Sequence, residues 1–301
     1  MELLSWEIIS EIFNLQTFSS TLRMATPLIL AALGGIFSER SGVINIALEG
    51  MMLAGAFVAV VVSYFTTNPW LGVLGAVIFS GLFALIHAVV SIEYHAKQVV
   101  SGVALNMLAG GGTVFLLNIL FNTSGTSPSV TSLSYWGNFK PTVYLALGAV
   151  GITYYVLFYT SFGLRVRSVG EHPHAADSLG ISVKKIRYIC VVISGMLAGL
   201  GGAHMSIGTL DVFREGMTAG RGFIALAAMI FGKWHPVGAL GASLLFGFFQ
   251  ALQIRLQGVL PIPGEFIQMI PYLFTVIALA GVIGKATPPQ ASGKPFKKGE
   301  R

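Results

Sequence analysis

The sequence has very little charge. Only 10% of its 301 residues are charged, whereas 54% are hydrophobic and the mean hydropathy is +0.77. A soluble protein carries roughly a quarter charged residues, and so few charges could not cover the apolar surface of a compact globule. The composition therefore excludes an ordinary water-soluble protein and indicates that lipid covers part of the surface.

Cysteine and the usual catalytic constellations are also scarce. Cys190 is the single cysteine, so no intrachain disulfide can form. His172 and His174 are two residues apart and the other histidines are scattered, so no metal-binding spacing is present. The segment 284–287 (GKAT) lacks both the leading glycine and the Ser or Thr after lysine of a phosphate loop. We therefore predict no enzyme and no metal or cofactor in this chain.

Long apolar runs dominate the sequence instead. A helix needs about 20 apolar residues to cross a hydrocarbon core of ~30 Å. Eight runs reach about this length. A ninth run, at 222–232, would be only about 16 Å long as a helix, which makes it half a crossing or a short tilted one. We predict an all-α, polytopic transmembrane helical bundle with about eight to ten membrane segments, one short or re-entrant. The eight long runs lie at about 22–38, 42–65, 69–93, 99–121, 142–160, 188–207, 236–254 and 265–284.

Lysine and arginine are unevenly distributed over the connections between these runs. With the N-terminus outside and 222–232 counted as a crossing, 13 of the 18 lie on one side and 5 on the other. Cytoplasmic connections carry an excess of basic residues. The count predicts about nine passes, an outside N-terminus and a cytoplasmic C-terminus.

Three polar stretches lie outside the apolar runs. Residues 122–141 are rich in Ser, Thr, Gly and Pro and predict an external loop. Residues 161–186 are polar and basic and predict a cytoplasmic segment. Residues 287–301 are basic and proline-rich, and we expect them to be disordered near anionic headgroups. The chain is therefore predicted to form one transmembrane domain, 1–286, followed by a basic cytoplasmic tail, 287–301.

Polar residues inside the second apolar run are candidates for a transport path. Asn45 and Glu49 are four residues apart and would share one helix face. An ionisable group in the membrane core costs about 3 kcal/mol on insertion scales, so it should face the bundle or a wet cavity. These residues either line a transport path or clamp two helices together, and the sequence leaves both interpretations open.

Glycine-rich segments indicate either close helix packing or broken helices. Small residues four apart, such as Gly195 and Gly199, most often let helix backbones touch. The triple glycine 110–112 lowers helix propensity sharply, and broken helices expose backbone to transported solutes. The start of the short run and its counterpart at 42–45 in the first half are the best pointer to a transport site. We therefore expect substrate contact near Asn45, Glu49, Asn106, Gly222 and Phe223.

The cytoplasmic segment 161–186 contains a predicted short helix. Pro173 occupies a plausible first helical position, helix-forming residues follow it, and Gly180 closes the segment. The pattern predicts about two turns lying at the membrane face. Such a helix is most often a simple connector.

Three segments together resemble the permeases of bacterial ABC importers. They are 39–50 (ERSGVINIALEG), 169–181 (VGEHPHAADSLGI) and 220–228 (GRGFIALAA). The similarity covers roughly residues 20–285. It is greatest to the branched-chain amino acid and ribose group, and within it to nucleoside (guanosine-type) and simple-sugar permeases.

The resemblance implies a multi-pass permease subunit of a bacterial inner membrane that moves nucleosides or simple sugars by alternating access. It implies a second, usually non-identical permease and cytoplasmic ATP-binding subunits that hold ATP and Mg²⁺. An extracytoplasmic substrate-binding lipoprotein would deliver the substrate, and nucleic acid has no part. By the same resemblance the residues that couple to the ATPase are Gly170, Glu171, His172, Pro173, Ala175, Ala176, Leu179 and Gly180.

Other functions remain open from the residues. The same kind of permease could carry branched-chain amino acids or other small solutes. A secondary transporter would more often hold several intramembrane acids for ion coupling, whereas Glu49 is nearly alone. A membrane enzyme would need paired acids, an activated nucleophile or metal ligands. A purely structural membrane subunit is the remaining alternative.

Overall fold

The computed structural model describes residues 14–257, 269, 273 and 286–297. Within these residues the regular structure is helical, apart from two isolated β-bridges. Two π-helical turns, Val89–Glu93 and Ser206–Leu210, prolong α3 and α8. The helices are α1 (Leu15–Arg40), α2 (Leu48–Thr66), α3 (Pro69–Ala88), α4 (Gln98–Phe121), α5 (Pro141–Tyr159), α6 (Ser161–Glu171), α7 (Pro173–Ser178), α8 (Val183–Met205), α9 (Arg221–Phe231) and α10 (Pro236–Leu256).

Seven of the described helices are long and apolar enough to cross a membrane. They are α1 to α5, α8 and α10, with α3 and α8 counted together with their π-helical turns. Helix α9 has only 11 residues, which agrees with the short run predicted at 222–232. The chain is therefore the all-α polytopic bundle that its composition predicts. The eighth long run, 265–284, lies outside the described residues except at Met269 and Leu273.

Helix α8 is the centre of the bundle, packed against α1, α2 and α3. Glycines make this packing close. A Cβ atom on Gly199 would lie 2.6 Å from the carbonyl oxygen of Ala76 in α3, and one on Gly202 would collide with the carbonyl oxygen of Met52 in α2. The prediction of close helix packing at this glycine-rich stretch is confirmed.

The triple glycine 110–112 neither breaks its helix nor packs closely on another helix, so neither of the two interpretations holds there. Helix α4 runs without interruption through it, and a Cβ atom on any of the three would meet nothing within 4 Å. Backbone N–H and C=O groups inside a bilayer have to be bonded within the segment, which favours the continuous helix despite the low propensity of glycine.

The second apolar run is broken, although the sequence suggested one helix from residue 42. Helix α1 ends at Arg40, and α2 begins only at Leu48. Gly42 has a φ of 93°, and the Ser38 hydroxyl donates to the carbonyl oxygen of Val43 at 2.7 Å. This turn redirects the chain. Asn45 therefore precedes α2 and does not share a helix face with Glu49, which corrects the prediction.

The helix ends form two faces of the bundle. On the basic face, Arg40 Nε donates to the carbonyl oxygen of Trp234 at 3.1 Å, and Lys184 forms an ion pair of 2.7 Å with Glu93. Gly170 packs directly on the backbone of Arg40. The ends of α1 and α6 and the start of α10 therefore lie at the same face.

The connection 122–141 lies at the opposite face and is anchored there. Backbone N–H groups of Ser127, Val130 and Leu133 donate to the carbonyl oxygens of Phe213, Asp211 and Ile207, at 2.9 to 3.1 Å. The backbone of this connection also contacts α2, where the Ser63 hydroxyl donates to the carbonyl oxygen of Thr131 at 2.8 Å. It is thus a fixed cover over the ends of α2 and α8.

Part of the tail is ordered against the basic face. In residues 286–297 the side chains of Ala291 and Phe296 are buried, and the N–H of Ala291 donates to the carbonyl oxygen of Gly170 at 2.9 Å. The expectation of disorder was therefore wrong for these residues. Composition indicated a solvated tail, but backbone hydrogen bonds hold it in place.

We predict that Gly202→Ala destabilises the bundle. The added Cβ would meet the backbone of α2, and overpacking of this kind costs about 1–3 kcal/mol. Gly148→Ala in α5 is the matched control, because a Cβ there meets nothing within 4 Å. Thermal unfolding of the purified protein in detergent should show a lower midpoint for Gly202→Ala alone. Equal midpoints for the two variants would contradict the packing described.

Candidate functional site

The start of α9 is capped by a carboxyl group from another helix. The side chain of Glu49, in the first turn of α2, accepts a hydrogen bond from the N–H of Gly220 at 2.8 Å and another from the N–H of Gly222 at 2.6 Å. The first N–H groups of a helix have no partner within it, and an acidic group is stabilising there. Glu49 therefore joins the beginnings of α2 and α9.

Glycine is required on the α9 side of this junction. A Cβ atom on Gly222 would lie 2.5 Å from the Cα of Glu49. Gly220 adopts a φ of 80°, a conformation that other residues rarely take. The sequence around residue 222 thus allows the two helix starts to approach closely enough for the carboxyl group to reach both N–H groups.

The start of α2 is held by α4. Asn106 accepts a hydrogen bond from the N–H of Gly50 at 2.8 Å and donates one to the carbonyl oxygen of Ile46 at 3.0 Å. Its amide group therefore satisfies a backbone donor and a backbone acceptor on the two sides of the helix start. Three elements, α2, α4 and α9, meet at this point.

The non-helical segment 41–47 is also supported by polar side chains from the neighbouring helices. Asn45 is fully buried, accepts from the N–H of Ala47 at 3.1 Å and donates to the Ser194 hydroxyl at 2.9 Å. Gln98 accepts from the N–H of Ile44 at 2.7 Å, and His87 bonds the carbonyl oxygen of the same residue at 2.9 Å. Irregular backbone at membrane depth is tolerated only when it is enclosed in this way.

The structure brings the five predicted path residues together but gives them different surroundings. Asn45 has no exposed surface, and its side chain joins the segment 41–47 to Ser194 of α8. Glu49 and Asn106 are half-buried, with their polar atoms bonded to backbone. Gly222 is buried, whereas the ring of Phe223 is 48% exposed. Only part of the junction therefore reaches the surface of this chain.

The end of α1 forms a second junction, which the sequence did not reveal. Glu39 accepts a hydrogen bond from the indole N–H of Trp234 at 2.6 Å, and Arg40 donates to the carbonyl oxygen of the same residue. Trp234 follows α9 directly. Burial, followed by the positive charge of Arg40, lowers the pKa of the neighbouring His235. In the sequence, the only sign of this junction was a single tryptophan that follows the short apolar run.

The predicted coupling segment has the expected short helix. Helix α7 begins at Pro173, and Gly180 has a φ of 79° just after its end. Gly170 and Ala176 are buried; a Cβ on Gly170 would collide with the carbonyl oxygen of Arg40. Glu171 and Pro173 are half-buried. The exposed residues of the set are His172, His174, Ala175, Leu179 and Gly180.

Leu179 stands out within this segment. Its side chain is a large apolar group that is 81% exposed on the basic face. Gly170 instead fixes the segment to the end of α1. The coupling segment thus has an inner side that holds the bundle and an outer side that is available to another molecule.

A family model of the branched-chain amino acid transport system permease component matches residues 17–279. The match includes both junctions and the coupling segment. The chain belongs to this permease family. In the described part of the permease, no three His, Cys, Asp or Glu side chains come close enough together to hold a metal ion.

Similar permeases are known by name. This chain is 48% identical to the guanosine ABC transporter permease protein NupQ of Bacillus subtilis, over 94% of this chain and 96% of the relative. It is 41% identical to the nucleoside ABC transporter permease protein NupC of Lactococcus lactis, over 93% and 96%. It is 39% identical to the putative glucose ABC transporter permease protein TsgC13 of Haloferax volcanii, over 80% and 78%.

Bacillus subtilis and Lactococcus lactis each have a second matching permease, whose sequence identity to this chain is lower. NupP of Bacillus subtilis is 26% identical to this chain, and NupB of Lactococcus lactis is 24% identical. NupP is named a guanosine permease, as NupQ is, and NupB is named a nucleoside permease, as NupC is. The relatives of this permease therefore occur as pairs of non-identical chains.

We predict that Glu49→Ala loosens the start of α9. Two backbone donors, at Gly220 and Gly222, lose their acceptor, and an unsatisfied buried donor costs about 1–3 kcal/mol. Hydrogen–deuterium exchange of a peptide covering 217–224 should be roughly ten- to a hundredfold faster than in the unchanged permease. Glu49→Gln, which keeps one acceptor oxygen, should fall between them.

Glu93→Ala is the matched control, since that carboxyl group forms an exposed ion pair with Lys184 far from α9. It should leave exchange in 217–224 unchanged. Unaltered exchange in Glu49→Ala would show that the carboxyl group does not hold the helix start.

Proposed function

We propose that this permease is one membrane-spanning subunit of an ATP-driven importer, and that its cargo is a nucleoside. The observation that carries the proposal is the coupling segment, which exposes Leu179 outward while Gly170 fixes it to the end of α1. The alignment with a guanosine permease over 94% of the chain supports the cargo. The names of the relatives favour ATP-driven transport over a secondary transporter.

A second, non-identical permease completes the path. Glu49, Asn106 and Phe223 reach the surface near one another, and polar groups at membrane depth face a bundle interior or a wet cavity rather than lipid. A partner permease covering this surface would place the substrate path between the two chains. The paired relatives in two bacteria support a partner that is not a second copy.

The energy comes from cytoplasmic ATP-binding subunits that hold ATP and Mg²⁺. The basic face of the bundle is the cytoplasmic face in this proposal, because Lys and Arg are concentrated there. The exposed side of the coupling segment docks in a groove of the ATPase. A substrate-binding lipoprotein docks at the opposite face, over the anchored connection 122–141. The protein then sits in a bacterial inner membrane with its N-terminus outside.

Movement passes from the coupling segment to the path through contacts of single residues. Gly170 presses on Arg40, and Arg40 and Glu39 hold Trp234 at the end of α9. The other end of α9 is bonded to Glu49. An ATPase that binds the two conformations unequally shifts their populations, and a shift of the coupling segment therefore displaces α9 against α2.

A simple sugar is the second candidate cargo, because a putative glucose permease is 39% identical to this chain. Stimulation of ATP hydrolysis separates the two. We expect guanosine or another nucleoside, added with its binding protein to the complex purified from its native membrane, to raise the hydrolysis rate. Glucose should have no effect. A response to glucose alone would contradict the nucleoside assignment. The absence of an ATPase from the purified complex would contradict the importer function.

We predict that Glu171→Lys abolishes most of the uptake. The substitution reverses a charge at the half-buried end of α6, directly before the helix α7 that docks in the proposed ATPase groove. Lys97→Glu is the control, because it also reverses a charge at an exposed position of the basic face, outside residues 161–186. Uptake of radiolabelled nucleoside by cells that carry each variant measures the effect. Unchanged uptake in Glu171→Lys would discard the assignment of 161–186 as the coupling segment.

A further inference from the structure

Residues 286–297, which we call the strap, touch the coupling segment on one side. The N–H of Ala291 donates to the carbonyl oxygen of Gly170 at 2.9 Å, and the N–H of Gln290 donates to the carboxyl group of Glu171 at 3.3 Å. The ring of Phe296 packs on that of His174 with centroids 5.1 Å apart. The strap thus contacts both helices of the segment, α6 and α7.

The same strap touches the broken segment 41–47 on its other side. The N–H of Gly293 donates to the carbonyl oxygen of Gly42 at 3.2 Å. A Cβ atom on Gly293 would lie 2.8 Å from Cδ1 of Ile44, so the Ile44 side chain packs directly on the strap backbone. The segment that it touches leads directly to Asn45 and to the start of α2.

A buried arginine joins the strap to the bundle. Arg187 of α8 is 2% exposed; it donates through Nε to the carbonyl oxygen of Ser41 at 3.2 Å and through Nη1 to that of Lys294 at 3.1 Å. A buried guanidinium group needs acceptors, because leaving one of its donors unbonded is costly, and Nη2 already lacks an acceptor among the described residues. One of its two acceptors comes from the strap, so the strap is part of the structure at this point.

Phe296 fixes the far end of the strap. Its side chain is 5% exposed, and its carbonyl oxygen is bonded to His95 Nε2 at 3.1 Å, in the connection before α4. The strap therefore bridges the coupling segment, the break before α2 and the approach to α4. Most of its hydrogen bonds to the rest of the chain use backbone groups, which makes the bridge stiff.

We propose that the strap is a positioning element that carries movement of the coupling segment to the break at 41–47. It acts in addition to the contact of Gly170 on Arg40. The strap leads to the segment 41–47 before α2, whereas the contact on Arg40 leads through Trp234 to α9. The proposal rests on the importer function proposed above. The strap and the coupling segment move as one body, so that docking of the ATPase displaces the start of α2 as well as α9.

Removal of the strap tests this proposal in the complete importer reconstituted in liposomes. A variant that ends at Ala286 lacks every strap contact described, whereas a control that ends at Lys297 keeps them all. We expect the shorter variant to assemble with its ATPase and to hydrolyse ATP, but to take up about tenfold less nucleoside per ATP hydrolysed, a coupling loss of the usual size. The control should match the full chain. Equal transport per ATP in both variants would overturn the proposal.

A cross-link tests the strap without deleting it, in case the shorter variant fails to assemble. The pair His174→Cys and Phe296→Cys replaces the two packed rings, and the natural Cys190 is fully buried and will not react. We expect transport per ATP to fall in the reduced pair and to recover when a short bifunctional thiol reagent joins the two cysteines. Each single cysteine variant, treated in the same way, should show no recovery.

A cross-link that leaves transport low, or lowers it further, would overturn the proposal, because it would show that the strap and the coupling segment do not need to move together. The full chain provides the remaining distinction. If the complex of full-length chains takes up nucleoside with ATP while the cross-link has no effect, the importer stands and the strap alone is rejected. If the full-length complex takes up nothing with ATP, both proposals fail.

Discussion

The bonds from Glu49 to the first N–H groups of α9 are the constraint on which the rest of this structure depends. A helix that begins inside a membrane exposes N–H groups which neither water nor its own turns can satisfy. A carboxyl group from α2 satisfies two of them, and it can do so only because Gly222 lets the helix starts approach. The position of α9, and through Trp234 the position of the end of α1, follow from this contact.

The same requirement explains the polar residues around the junction. Helix α2 also begins after irregular backbone, and Asn106 satisfies its start while Asn45, Gln98 and His87 enclose the segment before it. The two breaks are approached from opposite faces of the bundle. Asn45, Glu49 and Asn106 therefore hold backbone groups, and the parts of the junction that remain exposed belong to Glu49, Asn106 and Phe223.

The sequence predicted the crossings well because the length and hydropathy of a run are properties of the segment itself. The short helices α9 and α7 were predicted for the same reason: a short apolar run and a proline to glycine pattern are local. The break at 42–47 was hidden, since hydropathy does not change where a helix stops inside an apolar run. Trp234 and the strap were missed because their partners lie far away in the chain, and no local pattern encodes such contacts.

The glycine contacts of α8 have a consequence for the transport cycle. Backbones that touch through Gly199 and Gly202 leave no side chains between them that could rearrange, so α8 cannot slide past α2 or α3 without collision. These helices must travel as a single block. Any change of shape then has to occur at the borders of that block, where α4 and α9 join it through the hydrogen bonds of Asn106 and Glu49 and through close contacts at Gly50 and Gly222.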